Sequence, residues 1–571
     1  MLGDMGMLLI IASWIIICGI SLIIGYGLIH YGYKSSSIVM QHLDIYVICG
    51  LMMVNVYAEI FSLFYKVGAL ACTILAIVCM ILCLIYHIST KGECWKVNVK
   101  GETVYKWVTV FLIGIATLIW TVSYPRHYDT SLYHYQAIKW IEEYGVVPGL
   151  GNLHNRFAYN SAFMPLQALF SFEWLIGQSL HTVNGFLCFF FLSYAAFTNR
   201  MWEKKKPDFS DLLKIATFIY VWYSRNVISS PSSDTLTMLL ILYICTKWSE
   251  FNEKNIEDVN VYGFLCILCV YAISVKLSAA VCIILVFWPV GRMIKMKKIG
   301  MIIVYIVWGI AVVTPWLIRN VIISGYLLYP YPQIDLFDVD WKMPTSVLVY
   351  DSREIMVWGK GIFQVKEYGT PIWEWFPKWF METSPFIITL GIAGTIGCMS
   401  ILFTNIKRKN IDVKRDILKV YSVVSIITWL LSAPLIRYGM VYLLIPVCIC
   451  LAEYMHQGRK KKVTTIYNII LMIVLIPIGA GYLANIEDIG NQPLIKQEDY
   501  EWKETKSIEL ENGIKIWVPV NGDQSSQDVF PCVPYEGMIE KIQMRGKELS
   551  YGFKIKEKYK NLHMNEYGNE W

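Results

Sequence analysis

Long apolar segments recur along the chain as far as about residue 484. Each holds about 17 to 23 residues, the length that an α-helix needs to cross the roughly 30 Å hydrocarbon core of a bilayer. The pattern predicts an all-α polytopic integral membrane protein with about fourteen transmembrane helices. The predicted spans cover residues 7–29, 43–64, 67–87, 105–124, 181–198, 211–228, 234–248, 260–274, 276–292, 300–319, 384–404, 417–434, 438–455 and 463–484.

Five clusters of Lys and Arg interrupt this pattern, and such clusters favour cytoplasmic loops. They are Lys91, Lys96 and Lys100; Lys204, Lys205 and Lys206; Arg292, Lys295, Lys297 and Lys298; Lys407, Arg408, Lys409, Lys414 and Arg415; and Arg459 with Lys460, Lys461 and Lys462. Keeping all five on one side requires that segment 162–177, which contains Pro165 and Glu173, does not cross the membrane. We therefore expect an interfacial or re-entrant helix there, and we expect the loops 125–160 and 320–383 outside.

The chain divides into three predicted parts. Residues 1–104 form N-terminal transmembrane helices, and residues 105–484 form a transmembrane core with the two large outer loops. After residue 485 the sequence becomes polar, and short apolar runs at 514–518 and 552–555 are typical of strands. We expect residues 485–571 to form a small extracytoplasmic C-terminal domain with β structure.

Composition narrows the class of protein. Hydrophobic residues make up 56% and charged residues only 16%, against roughly 25% charged in an ordinary soluble domain, which excludes a soluble enzyme. The net charge of +6 is small for 571 residues and argues against a nucleic-acid partner. Most of the fifteen Cys lie inside apolar runs, where a thiol acts as a small hydrophobic group, so they predict neither a disulfide framework nor a zinc site.

The segment 124–136 follows the fourth predicted span and is the densest in titratable groups, with Arg126, His127, Asp129 and His134. Asp129 has two candidate roles, which can coexist. It can cap a helix over 130–144 by accepting free backbone N–H groups. It can also act as a general base, since a carboxylate at the edge of a low-dielectric cleft can gain proton affinity.

Downstream, the loop 145–160 combines three Gly and a Pro with His154 and Arg156. Backbone constraint together with polar side chains is typical of functional loops, although Gly and Pro also serve simply to turn the chain. His134, His154 and Arg156 are therefore candidate substrate-binding residues.

Three cations lie at the predicted outer edge of spans: Lys276, Arg319 and Arg437. A charge at that depth costs a few kcal/mol unless it is paired, functional or snorkels to the interface. Because all three share one face with Asp129, they favour recognition of a lipid phosphate or diphosphate. Asp234, in the Ser-Pro-Ser-Ser-Asp run that opens a span, is a weaker candidate.

The large outer loop adds four acidic residues: Asp335, Asp338, Asp340 and Asp351. The first three alternate as metal ligands can, but no Gly turn or terminal Glu follows at EF-hand spacing. A calcium loop is therefore not predicted.

Several segments resemble a family of uncharacterised bacterial multi-span membrane proteins, over roughly residues 105–555. They are Tyr-Asp-Thr-Ser-Leu-Tyr-His-Tyr-Gln-Ala-Ile-Lys-Trp-Ile-Glu-Glu-Tyr-Gly-Val-Val-Pro-Gly-Leu-Gly-Asn-Leu-His-Asn-Arg from residue 128, Ile-Arg-Asn-Val-Ile-Ile-Ser-Gly-Tyr-Leu-Leu-Tyr-Pro from residue 318, Val-Asp-Trp-Lys-Met-Pro from residue 339, Pro434 with Arg437, Asn-Gly-Asp-Gln from residue 521 and Pro-Cys-Val-Pro from residue 531. In architecture that family resembles the GT-C superfamily of integral-membrane glycosyltransferases.

The GT-C resemblance implies that residues 105–484 form a GT-C-like core. It further implies transfer of a sugar from a polyprenyl phosphate or diphosphate to a glycan, lipid or protein acceptor at the extracytoplasmic face of a bacterial inner membrane. Asp129 matches the acidic residue of the first large outer loop, which implies that it is the base or helps to hold a metal. Two departures are the three extra spans that precede this loop and the lack of a tight Asp-x-Asp after Asp129 within it, so metal dependence, on Mg or Mn, stays open.

Two other classes remain as alternatives. A lipid-linked oligosaccharide flippase or other transporter would line a path at mid-membrane with its charges. A non-enzymatic envelope assembly protein would instead work through its outer tail.

Overall fold

The computed structural model describes residues 6–32, 42–90, 104–200, 208–251, 259–407, 412–457 and 503–560. The protein is mostly helical, with a small β region near the C-terminus. The helices are α1 (Gly6–Gly27), α2 (Leu43–Ser62), α3 (Ala69–Thr90), α4 (Val104–Val122), α5 (Tyr135–Tyr144), α6 (Leu150–Leu153), α7 (Phe163–Leu169), α8 (Glu173–Ile176), α9 (Val183–Thr198), α10 (Phe209–Ser224), α11 (Ser233–Glu250), α12 (Val259–Val275), α13 (Ile283–Lys295), α14 (Ile299–Ser324), α15 (Thr345–Gly359), α16 (Ile372–Thr383), α17 (Pro385–Lys407), α18 (Val413–Ser432) and α19 (Ile436–Gln457).

Within the described residues, eight helical segments are long and apolar enough to cross a membrane, which identifies a multi-pass membrane protein. They are Met7–Tyr31, Leu43–Ser62, Ala69–Ser89, Val104–Val122, Leu277–Lys295, Ile299–Ser324, Pro385–Asn405 and Ile436–Met455. Each coincides with one of the fourteen predicted spans.

The remaining predicted spans stay unconfirmed. Five of them fall on α9, α10, α11, α12 and α18, which are shorter or more polar than the eight. The sixth, at 463–484, lies outside the described residues.

The polar residues of α11 are tolerated because the helix is surrounded by protein. Its residues from Ser233 to Trp248 are all buried, and it packs against α9, α10, α12 and α19. At its C-terminal end the Lys247 ammonium lies 2.7 Å from a carboxylate oxygen of Asp44 and 3.2 Å from one of Glu250. Pairing compensates for the removal of these charges from water.

Segment 162–177 contains no helix of spanning length. It folds into the short helices α7 and α8, separated by a bend in which Phe172 has a left-handed backbone (φ 52°). The interfacial or re-entrant position of this segment stays a prediction.

The C-terminal region forms two antiparallel hairpins: β1 (Thr505–Glu509) with β2 (Lys515–Pro519), and β3 (Ile542–Met544) with β4 (Phe553–Ile555). The two predicted strand runs coincide with β2 and β4. The hairpins share a hydrophobic core with the loop 125–160, to which Trp140 and Leu153 contribute. The Phe553 N–H donates to the Pro148 carbonyl at 3.0 Å, so the tail is attached directly to that loop.

Candidate functional site

A cavity of about 660 Å³ lies where the ends of several helices meet the loop 125–160 and the C-terminal tail. Its volume is within the roughly 300–1,000 Å³ of small-molecule sites. Four of its polar lining residues, together with Asp234 next to the lining residue Ser233, form what we call the helix end: Asp129, Lys276, Arg437 and Tyr438 with Asp234. Five others form the tail end: Tyr128, Arg156, Glu354, Asp523 and Tyr535.

Asp129 lies inside a helix rather than at its cap. Its backbone is helical (φ −69°, ψ −10°), and a π-helical turn, Thr130–His134, leads into α5. Its side chain accepts no capping hydrogen bond. The prediction that Asp129 caps this helix is wrong, since helical geometry starts before it.

The carboxylate of Asp129 is instead paired with Arg437. An Arg437 Nη2 atom lies 2.9 Å from Asp129 Oδ2 and 2.8 Å from the Tyr438 hydroxyl. Arg437 is held at the first turn of α19 because Pro434 interrupts the chain after α18. The indole N–H of Trp379 donates to the Pro434 carbonyl at 3.0 Å and fixes that break.

Lys276 reaches the same cluster through Asp234, with which it forms an ion pair. Its backbone is extended (φ −157°, ψ 126°) because α12 ends at Val275. The Ser161 hydroxyl donates to the Val275 carbonyl at 2.6 Å and takes up one of the helix-terminal acceptors. The Lys276 ammonium also lies 3.6 Å from the centre of the Tyr438 ring.

Asp234 lies in the first turn of α11, as the sequence predicts for the start of that helix. The cap is Ser232, whose hydroxyl accepts from the Asp234 N–H at 3.2 Å, which leaves the Asp234 carboxylate available. The second oxygen of that carboxylate lies 3.8 Å from Arg437 Nε and 3.9 Å from His127 Nε2. Lys276 and Arg437 thus share one acidic neighbour.

His127 lies between the two carboxylates and has two donors directed at its ring. The Asp129 N–H points at Nδ1 at 3.1 Å, and Arg437 Nη1 points at Nε2 at 2.9 Å. A neutral imidazole has only one acceptor nitrogen, so one of these donors has no acceptor in the neutral ring.

The proton affinity of Asp129 reflects these neighbours. Burial raises the pKa of Asp129, but the charge of Arg437, with contributions from His127, His134 and Arg156, brings it below its ordinary value. These neighbours favour a lower proton affinity of Asp129, whereas the sequence predicts a gain. The carboxylate is ionised and becomes a better base only when Arg437 moves away.

The two other candidate His residues lie behind the cavity. His134 is buried with its ring 5.5 Å from that of His127, and burial lowers its pKa to about 3. His154 is buried beside Phe157, and burial lowers its pKa well below the ordinary value. Neither is among the cavity-lining residues, so both rings are neutral packing and positioning groups in this structure.

Arg156 does line the cavity, at the tail end, where it lies 3.4 Å from Glu354. One turn earlier in α15, Asp351 accepts from Asn155 at 2.8 Å and from the Tyr159 hydroxyl at 3.1 Å. Burial, together with the nearby Glu354, raises the pKa of Asp351 to about 7, and burial also raises that of Glu354. These carboxyls gain protons more easily than Asp129.

Arg319 lines the same cavity as the other two cations but has different partners. It is 2% exposed; its Nε donates to Asn160 Oδ1 at 3.0 Å and its Nη1 donates to the Ser62 hydroxyl. Its acidic neighbour is the buried Glu59 of α2. All three predicted cations thus line one cavity, but Arg319 is held by Asn160 and Ser62, whereas Lys276 and Arg437 pair with the two carboxylates. A phosphate site formed by all three stays a prediction.

The residues present do not form the ligand set for Mg or Mn, which need several oxygen ligands around one point. Asp129 and Asp234 each face a cation instead. Over the described part of the chain, no group of three or more His, Cys, Asp or Glu side chains is placed to hold a metal ion. Asp335 pairs with Lys342, and Asp340 with Arg545.

Sequence reasoning underestimated Asp234 and did not select Glu354 or Asp523 as site residues. Asp234 carried one usable signal, since a charged residue opens an otherwise apolar helix. Glu354 and Asp523 carried none, because each lies in a polar segment where acidic residues are common.

A comparison with curated proteins finds no match, and a comparison with solved structures finds none either. One family model matches residues 7–444, which include the whole helix end of the cavity but not the C-terminal tail. The chain therefore belongs to the family described as a domain of unknown function, DUF8201.

Proposed function

We propose that this protein is a GT-C-like glycosyltransferase that moves a sugar from a polyprenyl-phosphate-linked donor to an acceptor at the extracytoplasmic face of the bacterial inner membrane. The observation that carries the proposal is the helix end of the cavity. There, the carboxylate of Asp129 is paired with Arg437, a cation of a membrane-spanning helix.

The cavity offers a route for a lipid-linked donor. Thr428 and Ser432 of α18 and Ala280 line the cavity and are also exposed, so it reaches the protein surface beside α18. A polyprenyl chain in the bilayer can follow this side while its phosphate enters at the height of Lys276 and Arg437.

The direction of the helices supports the proposed topology. The long helix α14 begins beside Lys297 and Lys298 and ends at the cavity, and its 26 residues span about 39 Å. Likewise, α18 begins beside Lys414 and Arg415 and ends at the cavity. Basic clusters favour the cytoplasmic side, so the cavity belongs on the opposite side.

Phosphate binding would proceed by exchange of partners. Arg437 Nε is buried without a hydrogen-bond acceptor in the described structure, and one donor directed at His127 has no acceptor in the neutral ring. A phosphate oxygen supplies an acceptor for both Arg437 and Lys276. As Arg437 turns toward the phosphate, Asp129 loses its closest positive charge and becomes more basic.

The reaction follows from this exchange. The acceptor hydroxyl oxygen attacks the anomeric carbon and forms the new glycosidic bond, while its proton passes to Asp129. The bond between the anomeric carbon and the phosphate oxygen breaks, and its electron pair leaves on the polyprenyl phosphate. Lys276 and Arg437 stabilise the charge that develops there.

The helix α11 does not favour a transporter. It carries no charged residue between Asp234 and Lys247, so its two charged ends are not joined by a polar path along it.

The test uses lipid-linked sugars of the host, radiolabelled during growth and extracted into organic solvent. Purified full-length protein in lipid nanodiscs should move the label to envelope material from a strain that lacks this chain. Polyprenyl phosphate should be released in equal amount. If the label stays on the lipid for every extract of lipid-linked sugars and every envelope fraction that is combined with the protein, the proposal is wrong.

A further inference from the structure

The tail end of the cavity has a chemistry different from that of the helix end. Asp523 and Tyr535, which line it, come from the C-terminal tail and lie outside residues 7–444 that the family model matches. The cavity therefore has one wall from the family's membrane domain and another from a region beyond it.

The tail is fixed to the helix that carries Asp129. The buried Gln136 side chain donates to the Ser526 and Val529 carbonyls at 2.8 and 3.1 Å and accepts from the Cys532 N–H at 3.1 Å. The Ser525 N–H also donates to the carbonyl of Ser131, two residues after Asp129. Segment 522–535 thus has a defined position relative to the proposed base.

The groups that this segment presents suit hydroxyl-rich ligands. Asp523 Oδ2 accepts from the Tyr128 hydroxyl and, at 3.4 Å, from the Tyr535 hydroxyl. Both rings are about half exposed, at 50% and 48%. A carboxylate accepts hydrogen bonds from ligand hydroxyls, and an exposed ring offers an apolar face on which a sugar can lie.

The charges at the tail end do not suit a second phosphate. Two carboxylates, Asp523 and Glu354, face one cation, Arg156, which already lies 3.4 Å from Glu354. The helix end, by contrast, has two cations for two carboxylates. The positive charges of Arg437 and Arg156 both lower the pKa of Asp129. Asp129 therefore interacts electrostatically with both ends of the cavity.

We propose that the tail end of the cavity is the acceptor subsite, in which Asp523, Tyr535 and Tyr128 bind a polyhydroxylated carbohydrate acceptor. The inference rests on the proposed glycosyl transfer. It assigns the choice of acceptor to the C-terminal tail, while the family's membrane domain binds the lipid-linked donor.

The experiment compares two outputs of the same nanodisc reaction with radiolabelled lipid-linked sugars. Label that joins envelope material measures transfer to the acceptor, and free labelled sugar measures transfer to water. The variants are Asp523→Asn and Tyr535→Phe. Matched controls are Asp528→Asn, in the same segment but outside the cavity lining, and Tyr551→Phe, an exposed residue that is also outside it.

We expect each cavity variant to raise the KM for the envelope acceptor about tenfold, because each loses one hydrogen bond to the acceptor and such a loss weakens binding by about this factor. Hydrolysis of the donor and its KM should stay unchanged, and the controls should match the wild type. A monodisperse elution profile and an unchanged melting temperature establish that the variants are folded.

The outcomes separate the two proposals. Wild-type transfer with an unchanged acceptor KM in both cavity variants overturns the acceptor subsite and leaves the glycosyltransferase standing. Equal loss of transfer and hydrolysis also overturns it, because the tail then acts on the donor. A wild-type protein that uses no donor, even with water, overturns both.

Discussion

Arg319 and Arg437 look alike in sequence, since each is a lone arginine at the end of a long apolar helix. In the structure they have opposite surroundings. Both line the cavity, but Arg319 is 2% exposed and donates to Asn160 and Ser62, whereas the Arg437 side chain is 34% exposed and pairs with Asp129. The depth of a charge in a membrane protein therefore does not reveal its role; its partners and its exposure do.

The largest effect should follow removal of Arg319, the buried arginine. Arg319→Gln removes the guanidinium that donates to Asn160 and Ser62 and lies near the buried Glu59, and each buried acceptor left without its donor costs about 1–3 kcal/mol. We expect a steep loss of monodisperse protein and of melting temperature in detergent. Arg437→Gln should retain most of both.

The matched control removes both charges at once. Arg319→Met with Glu59→Gln leaves no buried unpaired charge and should recover much of the lost stability. Arg319→Gln protein as stable as Arg437→Gln protein would show that the two arginines are equivalent and that the comparison is mistaken.

The second effect concerns chemistry rather than folding. Asp129→Asn keeps the shape of the side chain but cannot accept the acceptor proton, and general-base catalysis contributes about 10²–10⁴-fold. We expect transfer to fall at least about 100-fold in the nanodisc assay while the melting temperature changes little. Asp338→Asn, in an exposed part of the loop after α14, is the control. Full transfer by the Asp129→Asn protein would remove Asp129 from the reaction.

Two carboxyls of the protein, Asp129 and Asp351, also differ in their surroundings, and their pKa values shift in opposite directions. Asp129 has a close arginine and a lowered pKa, whereas the pKa of Asp351 is raised to about 7 by burial and Glu354. Between the unfolded value of about 3.9 and 7, the folded protein holds a proton on Asp351 that the unfolded chain has lost, so stability falls as pH rises through this window, by about 1.4 kcal/mol per unit.

Asn cannot titrate, so Asp351→Asn should gain stability relative to the wild type by about 2 kcal/mol between about pH 5.5 and 7.5. Melting temperatures measured across this range provide the test, with Asp338→Asn as the reference. If the melting temperatures of the Asp351 variant and the wild type change in parallel with pH, the raised pKa of Asp351 is contradicted.

The sequence predicted the eight long spans because each is long and apolar; six of them, α3 and α14 included, are at most 28% buried, whereas α2 and α19 are mostly buried inside the protein. It could not establish whether α9 to α12 cross the membrane, because burial inside the protein lets short helices carry residues such as Asp234 and Lys247. For the site, Asp129, Arg156, Lys276, Arg319 and Arg437 were predicted, and all five line one cavity.

The partners of these residues were beyond the reach of sequence alone. Arg319 is bound by Asn160 and Ser62, which are 159 and 257 residues away in the chain. Nothing in the local pattern indicates such contacts, since they depend on how α2, the loop 125–160 and α14 pack together. For the same reason the tail could be predicted as a β region but not as a wall of the cavity.

The smallest effect should come from removing one of the two cations at the helix end. Lys276→Met and Arg437→Gln each remove one donor to the proposed phosphate, and we expect each to raise the donor KM about tenfold, since a hydrogen bond between charged groups contributes about 1.5–3 kcal/mol and the remaining cation compensates in part. Lys139→Met is a control, because Lys139 pairs with Glu173 outside the cavity lining.

Lys276→Met also leaves Asp234 with less positive charge nearby, so a rise in KM could reflect a disturbed helix end rather than lost phosphate contact. The double variant Lys276→Met with Asp234→Asn restores the charge balance and resolves this. If the donor KM remains about tenfold higher in the double variant, Lys276 binds the donor. If the donor KM returns to the wild-type value, Lys276 only neutralises Asp234. The helix end would then be a structural charge network, like the one around Arg319, rather than a binding site for the donor.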